Sequence, residues 1–197
     1  MKRLIDFIIA AAGIIIFATL FCAIGLIIRL TEGSPVFFRQ VRPGLKGTPF
    51  TLIKFRTMRE ETDRYGNKLP DSARITRLGR FLRRTSLDEL PQLWNVLSGD
   101  LSLVGPRPLL MQYLPLYSKE QMRRHDVKPG ITGWAQIKGR NAISWEDKLA
   151  YDVWYVDNQS LSLDLKILAA TFLKVIRREG ITPKESEDVE FFKGNTS

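Results

Sequence analysis

Residues 7–28 read FIIAAAGIIIFATLFCAIGLII, without a charged side chain among them. As a helix at 1.5 Å per residue this stretch would be about 33 Å long, enough to reach across the hydrocarbon core of a bilayer. A signal peptide has a shorter apolar core and a small-residue cleavage site, whereas this stretch runs directly into Arg29. Apolar residues on every face also argue against a buried helix of a small soluble protein. The stretch therefore predicts a membrane-inserted helix, in which Cys22 is interpreted as a small apolar filler.

Two arrangements of this helix in the membrane remain open. Basic residues flank the stretch on both sides: Lys2, Arg3, Arg29, Arg39 and Arg42. A helix that crosses the membrane would place one basic flank outside, against the positive-inside tendency. A hairpin that dips in and returns would keep both flanks in the cytoplasm, but it needs a break in the helix. The stretch contains no proline, so the candidate positions for a break are Gly13, Thr19 and Gly25.

The composition narrows the range of partners and chemistries. The 197 residues include 30 Lys and Arg against 21 Asp and Glu, a net charge of +9, which indicates an anionic partner such as nucleic acid, a phosphorylated substrate or an anionic membrane. One cysteine and one histidine exclude an internal disulfide and a Cys/His zinc cluster, so any metal must be bound by oxygen. The single His125 is flanked by charged residues and is predicted to lie on the surface.

The rest of the chain predicts one globular domain. Its predicted elements are extended segments at 36–38 and 50–55, a turn at 43–47, a polar loop at 59–72, a basic amphipathic segment at 73–84 and an amphipathic helix at 164–178. The basic segment fits either a solvated helix face or a surface that contacts lipid phosphates. Trp134, Trp145 and Trp154 are predicted to be core or interface residues. From Pro183 the chain is polar and is predicted to be loosely held.

Two adjacent carboxylates stand out in residues 86–97, SLDELPQLWNVL. Ser86 and Glu89 have the spacing of a capping box, which predicts Asp88 and Glu89 in the first turn of a helix. Acids at that position can simply complement the helix dipole. Alternatively, two carboxylates kept ionised by the dipole and by nearby arginines can serve as a nucleophile and as a Mg²⁺ ligand. The segment alone leaves both interpretations open.

The stretch GDLSLVGPRP at 99–108 predicts a short strand that ends in a rigid corner. Two prolines fix the backbone on either side of Arg107, which suits either a surface turn or a pre-positioned phosphate ligand. A second arginine, Arg140, follows the flexible Gly139. The sequence contains neither a phosphate-binding loop of the nucleoside triphosphatase type nor a dinucleotide-binding GxGxxG or zinc-binding HExxH motif.

Four stretches carry a family resemblance: KFRTM (54–58), SLDELPQLWNV (86–96), GDLSLVGPRP (99–108) and PGITGWAQ (129–136). In this order and behind an apolar N-terminal stretch, they resemble the small monotopic phosphoglycosyl transferases. These are bacterial sugar transferases that begin the assembly of lipid-linked glycans. The resemblance extends from about residue 3 to residue 180.

The resemblance implies a reaction and a site. A sugar-1-phosphate would move from a UDP-sugar to a polyprenyl phosphate, typically undecaprenyl phosphate, with release of UMP. Asp88 matches the family nucleophile, which forms an aspartyl-phosphosugar intermediate, and Glu89 matches its partner in acid–base support; together they are the implied Mg²⁺ ligands. The residues implied to bind the substrate phosphates or the nucleotide are Arg107, Arg140, Lys54 and Arg83.

The resemblance also implies an architecture and a location. It implies a mixed, helix-rich α/β fold in which residues 1–33 form a re-entrant membrane helix. Residues 34–182 would form the catalytic domain with amphipathic interfacial helices, and 183–197 a polar tail. The protein would lie at the cytoplasmic face of the bacterial inner (plasma) membrane. The family breaks its membrane helix with a Ser-Pro pair where this chain has Ala18-Thr19; threonine can bond back to a carbonyl and bend a helix, less reliably than proline.

The donor sugar and the partners are less closely defined. The short chain and residues 139–145 are most similar to family members that transfer N,N′-diacetylbacillosamine phosphate in protein glycosylation, which favours an N-acetylated UDP-sugar. A galactose-type donor is the alternative. A homodimer or other glycan-assembly enzymes are possible partners. Two other functions compete: a membrane-anchored protein that binds nucleic acid or anionic lipid, indicated by the +9 charge alone, and a structural anchor for glycan-assembly enzymes.

Overall fold

A computed structural model describes residues 1–60, 62, 65–66, 69–139, 143–177 and 191–194. The fold is a helix-rich mixture of α and β structure. Its helices are α1 (Lys2–Ile16), α2 (Ala18–Thr31), α3 (Asp71–Arg74), α4 (Arg77–Arg84), α5 (Gln92–Ser98), α6 (Lys119–Met122), α7 (Trp134–Lys138), α8 (Trp145–Asn158) and α9 (Leu161–Arg177). Its strands are β1 (Phe37–Pro43), β2 (Pro49–Phe55), β3 (Ser102–Val104) and β4 (Gly130–Thr132).

The apolar N-terminal stretch forms a bent pair of helices rather than one straight helix. Helices α1 and α2 meet at Phe17 with a bend of 62°. Within the described ranges, no individual helix has the length and apolarity to cross a membrane, whereas the bent pair taken together meets both criteria. The break therefore lies at none of the three positions predicted from sequence. Ala10 of α1 packs with Val96 of α5 while Ile24 of α2 packs around Phe55, so tertiary packing accompanies a bend that no proline provides.

The first two turns of α1 are hydrogen-bonded to the globular part of the protein. Lys2 Nζ lies 2.6 Å from Asp164 Oδ2 and donates to the carbonyl of Val104 at 3.0 Å. The buried carboxylate of Asp6 accepts from Ser102 Oγ at 2.8 Å and from the backbone N–H of Leu103 at 3.2 Å. The start of the apolar pair is thereby joined directly to β3.

The end of the bent pair is held by the same domain. The guanidinium of Arg56, which directly follows β2, donates to the carbonyls of Glu32 at 2.6 Å, Gly33 at 3.0 Å and Ser34 at 2.9 Å. Because three carbonyls just past a helix end have few intrahelical partners, one arginine satisfies groups that would otherwise need water. Both ends of the apolar stretch consequently meet one globular domain.

Two small sheets confirm and extend the predicted extended segments. Strands β1 and β2 form an antiparallel hairpin whose register runs from Phe37 opposite Phe55 to Pro43 opposite Pro49. Strands β3 and β4 are parallel, with Val104 opposite Thr132. The chains approach so closely beside this second sheet that a Cβ on Gly130 would lie 2.1 Å from the backbone nitrogen of Gly105. Only glycine permits this contact, which fixes the start of the Pro-Arg-Pro corner.

The largest core cluster joins the N-terminal helix, both sheets and the C-terminal helix. Its buried members are Ala10, Leu52, Val96, Leu101, Leu103, Val104, Tyr155 and Ile167. The predicted helix at 164–178 is confirmed as α9, which begins at Leu161. The rings of Trp134 and Trp154 stack at 4.6 Å, in line with their predicted packing role.

The basic segment predicted at 73–84 is interrupted rather than continuous. Ile75 forms an isolated antiparallel bridge with Met58, which ends α3. Thr76 then caps α4, because its hydroxyl accepts from the N–H of Gly79 at 2.8 Å. The polar tail predicted at 183–197 lies largely outside the described residues. Within it, Phe192 is buried against Tyr113.

We predict that Asp6→Leu lowers the free energy of unfolding by about 1–3 kcal/mol, because the hydroxyl of Ser102 and the N–H of Leu103 lose their buried acceptor. Thermal unfolding in a matched detergent measures the change. Asp126→Asn is the control, since Asp126 is exposed and pairs with Lys46 on the surface; it should melt with the native protein. Equal melting temperatures of Asp6→Leu and the native chain would contradict a stabilising role for the buried carboxylate of Asp6.

Candidate active site

The Asp88–Glu89 pair lies in a single 3₁₀ turn rather than in the first turn of a helix. The turn spans Leu87–Glu89, and α5 begins only at Gln92. The predicted capping box is wrong, because Ser86 has a left-handed backbone (φ 56°) and its side chain makes no capping bond. The carboxylate of Glu89 bonds instead to two basic side chains. The sequence pattern thus singled out the two acids, but it predicted a capping box where the structure has ion pairs with basic side chains.

Glu89 lies between two cations. Lys54 Nζ, from β2, lies 2.7 Å from Glu89 Oε1, and a terminal nitrogen of Arg107 donates to the same oxygen at 2.7 Å. Lys54 Nζ also lies 3.9 Å from Asp88 Oδ2. The hairpin, the 3₁₀ turn and the Pro-Arg-Pro corner therefore meet at one point. Lys54, which the resemblance implied only as a binding residue, contacts both carboxylates.

The other predicted binding residues have different outcomes. Arg83 of α4 donates through Nε to Thr57 Oγ1 at 2.9 Å, and its charge acts on Asp88. This geometry places Arg83 at the edge of the acidic pair. Arg140 lies outside the described residues, so its assignment stays a prediction.

The pKa values of the two neighbouring carboxylates are shifted in opposite directions. Burial raises the pKa of Asp88, and the negative charge of Glu89 adds to this while Lys54 opposes it. Burial acts on Glu89 too, but the charges of Arg107 and Lys54 outweigh it and hold its pKa well below the usual range. The pair was expected to be kept ionised by a helix dipole and by arginines; it precedes α5, and basic side chains act on both acids, while burial dominates only at Asp88. Such a divergence of environments is typical of carboxylates with separate chemical roles.

The acidic pair fits a magnesium ion completed by substrate. Within the described part of the chain, no group of three or more His, Cys, Asp or Glu side chains could hold a metal by itself. Mg²⁺ is, however, commonly held by one or two carboxylates together with substrate phosphates and water. Lys54 and Arg107 both bond to Oε1 of Glu89, so these contacts do not engage its Oε2. Asp88 and Glu89 are therefore a suitable donor set.

Sequence reasoning missed a second charged layer behind the Pro-Arg-Pro corner. Arg124 and Asp152 form a buried ion pair at 2.7 Å, and Arg124 also donates to the carbonyl of Arg107 at 2.7 Å. Arg42 lies close enough for burial and the charge of Arg107 to lower its pKa to about 10. The sequence signal for this charged layer was the run of basic residues beside His125, but such a run is typical of a solvated surface.

His125 is buried rather than on the surface. Its Nδ1 lies 3.2 Å from the carbonyl of Gly44, and its ring is 5.9 Å from that of Tyr117. Burial, together with the charge of Arg124, lowers its pKa to about 4, so the ring is neutral at physiological pH. It packs under the hairpin turn and contacts neither Asp88 nor Glu89 among the described contacts.

Comparison with known proteins identifies the family to which the chain belongs. A family model described as bacterial sugar transferase matches residues 1–178. The chain belongs to the bacterial sugar transferase family. The sugar transferase EpsL of Bacillus subtilis (strain 168), itself described as uncharacterized, is 60% identical over 99% of this chain and 96% of its own length. A family match over nine-tenths of the chain includes the bent helix pair as well as the acidic site.

Two further relatives carry more specific names. A UDP-glucose:undecaprenyl-phosphate glucose-1-phosphate transferase of Xanthomonas campestris pv. campestris is 43% identical over 89% of this chain, which corresponds to 38% of that longer protein. The exopolysaccharide production protein ExoY of Rhizobium meliloti (strain 1021) is 37% identical over 91% of this chain and 87% of its own length. Family membership and these relatives identify this sugar transferase as a phosphoglycosyl transferase.

For this transferase we predict that Lys54→Met moves the acid limb of the pH–rate profile to higher pH. The lysine charge lowers the pKa of Asp88, so its loss raises that pKa further. An attacking carboxylate must be deprotonated. On acidification the variant therefore loses activity at a higher pH than the native protein does. The measurement is kcat between pH 5 and 9. Lys46→Met, which removes an exposed lysine paired with Asp126, should leave the limb in place; an unmoved limb in Lys54→Met would contradict the coupling.

Proposed function

We propose that this protein transfers a sugar-1-phosphate from a UDP-sugar to undecaprenyl phosphate and releases UMP, as the first membrane step of glycoconjugate biosynthesis. The observation that carries the proposal is the buried carboxylate of Asp88 beside the Lys54–Glu89–Arg107 triad. A nucleophile and two fixed cations suit transfer of a phosphoryl group, which depends on positioning and charge neutralisation. The name of the Xanthomonas relative supplies the donor and acceptor classes.

In the first step, a carboxylate oxygen of Asp88 attacks the β-phosphorus of the donor. A bond forms between this oxygen and phosphorus, the phosphoanhydride bond to the α-phosphate breaks, and UMP leaves with the bonding electrons. Lys54 and Arg107 offset the negative charge that collects on the phosphoryl oxygens. The product of this step is an aspartyl-phosphosugar.

In the second step, a phosphate oxygen of the lipid attacks the same phosphorus and displaces Asp88. The net exchange trades one phosphoanhydride for another, so no energy source other than the donor is needed. Glu89 has a depressed pKa and stays ionised, so we assign it to holding Lys54 and Arg107 rather than to giving up a proton. When bound between Asp88 and Glu89, Mg²⁺ would supply additional positive charge against the diphosphate of the donor.

For the donor we propose an N-acetylated UDP-sugar such as UDP-N,N′-diacetylbacillosamine. The similarity of residues 139–145 to members active in protein glycosylation supports this choice. Relatives named for glucose and galactose are the reason to test those donors alongside it. Substrates and products would be exchanged at the cytoplasmic face of the bacterial plasma membrane.

We also propose a re-entrant insertion of α1 and α2, which is supported by how the pair is tethered. Lys2 and Arg56 fix its two ends to one domain, which favours both ends on one side of the bilayer. Single cysteines inserted directly after Met1 or placed at Ser34, in a chain with Cys22 replaced by serine, should both react with a membrane-impermeant maleimide from the cytoplasmic side only. A cysteine at Phe17 is the control for bilayer burial and should stay unlabelled. Labelling of the two ends from opposite sides would contradict the re-entrant arrangement.

The test of the reaction is UMP release from a panel of UDP-sugars, with Mg²⁺ and with or without undecaprenyl phosphate. Sustained release that depends on the lipid supports the transferase, and the most active donor identifies its sugar. Failure of every donor to yield UMP, while the protein binds a DNA duplex with a steep salt dependence, would favour the nucleic-acid binding alternative.

A further inference from the structure

A buried ion pair lies directly behind the catalytic corner and is not part of the chemistry proposed above. Arg124 and Asp152 are each 2% exposed. The Nε and Nη2 atoms of Arg124 donate to Asp152 Oδ2 at 3.0 and 2.7 Å, and Nη2 also donates to the carbonyl of Arg107 at 2.7 Å. Asp152 lies on α8, so this ion pair connects a helix of the scaffold to the backbone of an active-site residue.

Arg124 donates to the carbonyl of Arg107 itself. This bond fixes the backbone from which the Arg107 side chain projects. Pro108 restricts the preceding residue to extended conformations, and a hydrogen bond to the Arg107 carbonyl fixes its remaining freedom in ψ. On the other side of Arg107, the carbonyl of Pro106 accepts from the N–H of Gly130 at 3.0 Å. The corner is therefore held at both peptide groups. The side chain of Arg107 is 46% exposed, and its guanidinium pairs with Glu89.

Stability alone is a weak reason for such a pair. Removing two charges from water costs free energy, and apolar residues of similar volume are often as stabilising as a buried ion pair. The ring of Tyr117 lies 5.7 Å from the guanidinium of Arg124 and helps to enclose it. What apolar residues could not reproduce is the directed hydrogen bond to the carbonyl of Arg107.

We propose that Arg124 and Asp152 are positioning residues that aim Arg107 at Glu89 and at the donor phosphates. This inference rests on the proposed function, because Arg107 acts in that reaction. Asp152 orients Arg124, Arg124 holds the Arg107 carbonyl, and Arg107 presents its guanidinium to Glu89. A displacement of about 1 Å in a group that binds the reacting phosphate can reduce the rate about 100-fold.

The test is a double-mutant cycle on kcat with the most active donor of the panel. Arg124→Lys keeps the charge but not the forked geometry, and it should lower kcat about 100-fold while the KM for undecaprenyl phosphate changes little. In an Arg107→Ala background the same change should lower kcat by about threefold or less, because there is no side chain left to aim. Arg123→Lys is the matched control: this neighbour pairs with Glu120 and Asp157 on the surface and should retain native kcat.

A second variant separates positioning from folding. Arg124→Met combined with Asp152→Leu should melt close to the native temperature, as expected for replacement of a buried ion pair by apolar residues, and should still lose about 100-fold in kcat. Native kcat in either variant, or an equal loss with and without Arg107, would overturn the inference. If the native chain itself releases no UMP, the proposed function fails and takes this role with it; active native protein with active Arg124→Lys overturns the positioning role alone.

Discussion

Asp88→Asn should lower UMP release by about 1,000-fold or more, the scale expected when a covalent nucleophile is removed. The amide keeps the volume of the side chain in its 3₁₀ turn but cannot attack phosphorus. The same substitution should abolish a covalent adduct. Native protein mixed with the UDP-sugar in the absence of lipid should gain the mass of one sugar phosphate on Asp88, detectable by intact-protein mass spectrometry, whereas Asp88→Asn should not.

Asp157→Asn provides the control for loss of a carboxylate. Asp157 lies on the outer side of α8 and pairs with Arg123, so its amide variant should form the adduct and release UMP at the native rate. Retention of rapid UMP release by Asp88→Asn would rule out attack by this residue. Release without an adduct in native protein would instead indicate direct transfer between donor and lipid.

Glu89→Gln is expected to lower kcat by about 100- to 1,000-fold, because Lys54 and Arg107 lose the charge that holds them in place. Glutamine retains an oxygen acceptor, so the loss reports the charge more than the shape. The residual activity should also show a shifted pH dependence. The charge of Glu89 raises the pKa of Asp88, so its removal lowers that pKa and moves the acid limb to lower pH, opposite in direction to Lys54→Met.

Opposite shifts in these two variants would be hard to obtain from general damage to the fold. Glu120→Gln is the control, because Glu120 is 65% exposed and pairs with Arg123. It should leave both the rate and the pH dependence unchanged. A Glu89→Gln protein with native kcat and an unmoved limb would contradict the assigned role of Glu89.

How far the sequence predicts the site depends on the range of the interaction. Residue types and local patterns made Asp88, Glu89 and Arg107 candidates for phosphate chemistry, and the family resemblance implied their roles. The ion pair of Arg124 and Asp152 was invisible because its partners are 28 positions apart and only the tertiary fold buries them. His125 was misplaced for the same reason: its charged neighbours predict a surface, yet the hairpin turn at Gly44 covers its ring.

The fold shows the same division between local and long-range causes. The hairpin of β1 and β2 and the helix α9 follow from short-range patterns of apolar residues, and both were predicted. The resemblance implied a helix break at Ala18-Thr19, one residue from the observed bend at Phe17. The interruption before Thr76 was not predicted, because it accompanies the bridge of Ile75 to the distant Met58. At Ser86, a left-handed backbone overrides a capping pattern that is otherwise a reliable start signal for helices.

The bonds between α1 and β3 make the N-terminal helix pair a structural part of the domain rather than a removable appendage. A soluble fragment that starts after residue 33 would lose the carboxylate of Asp6 from Ser102 and Leu103, and the ammonium of Lys2 from Asp164. It would also expose Val96 and Leu101, which Ala10 helps to cover. The bent pair is in this sense an internal part of the globular domain. If it is inserted in the membrane as proposed, solubilisation has to replace the lipid around α1 and α2, with detergent or a nanodisc, rather than delete the helices.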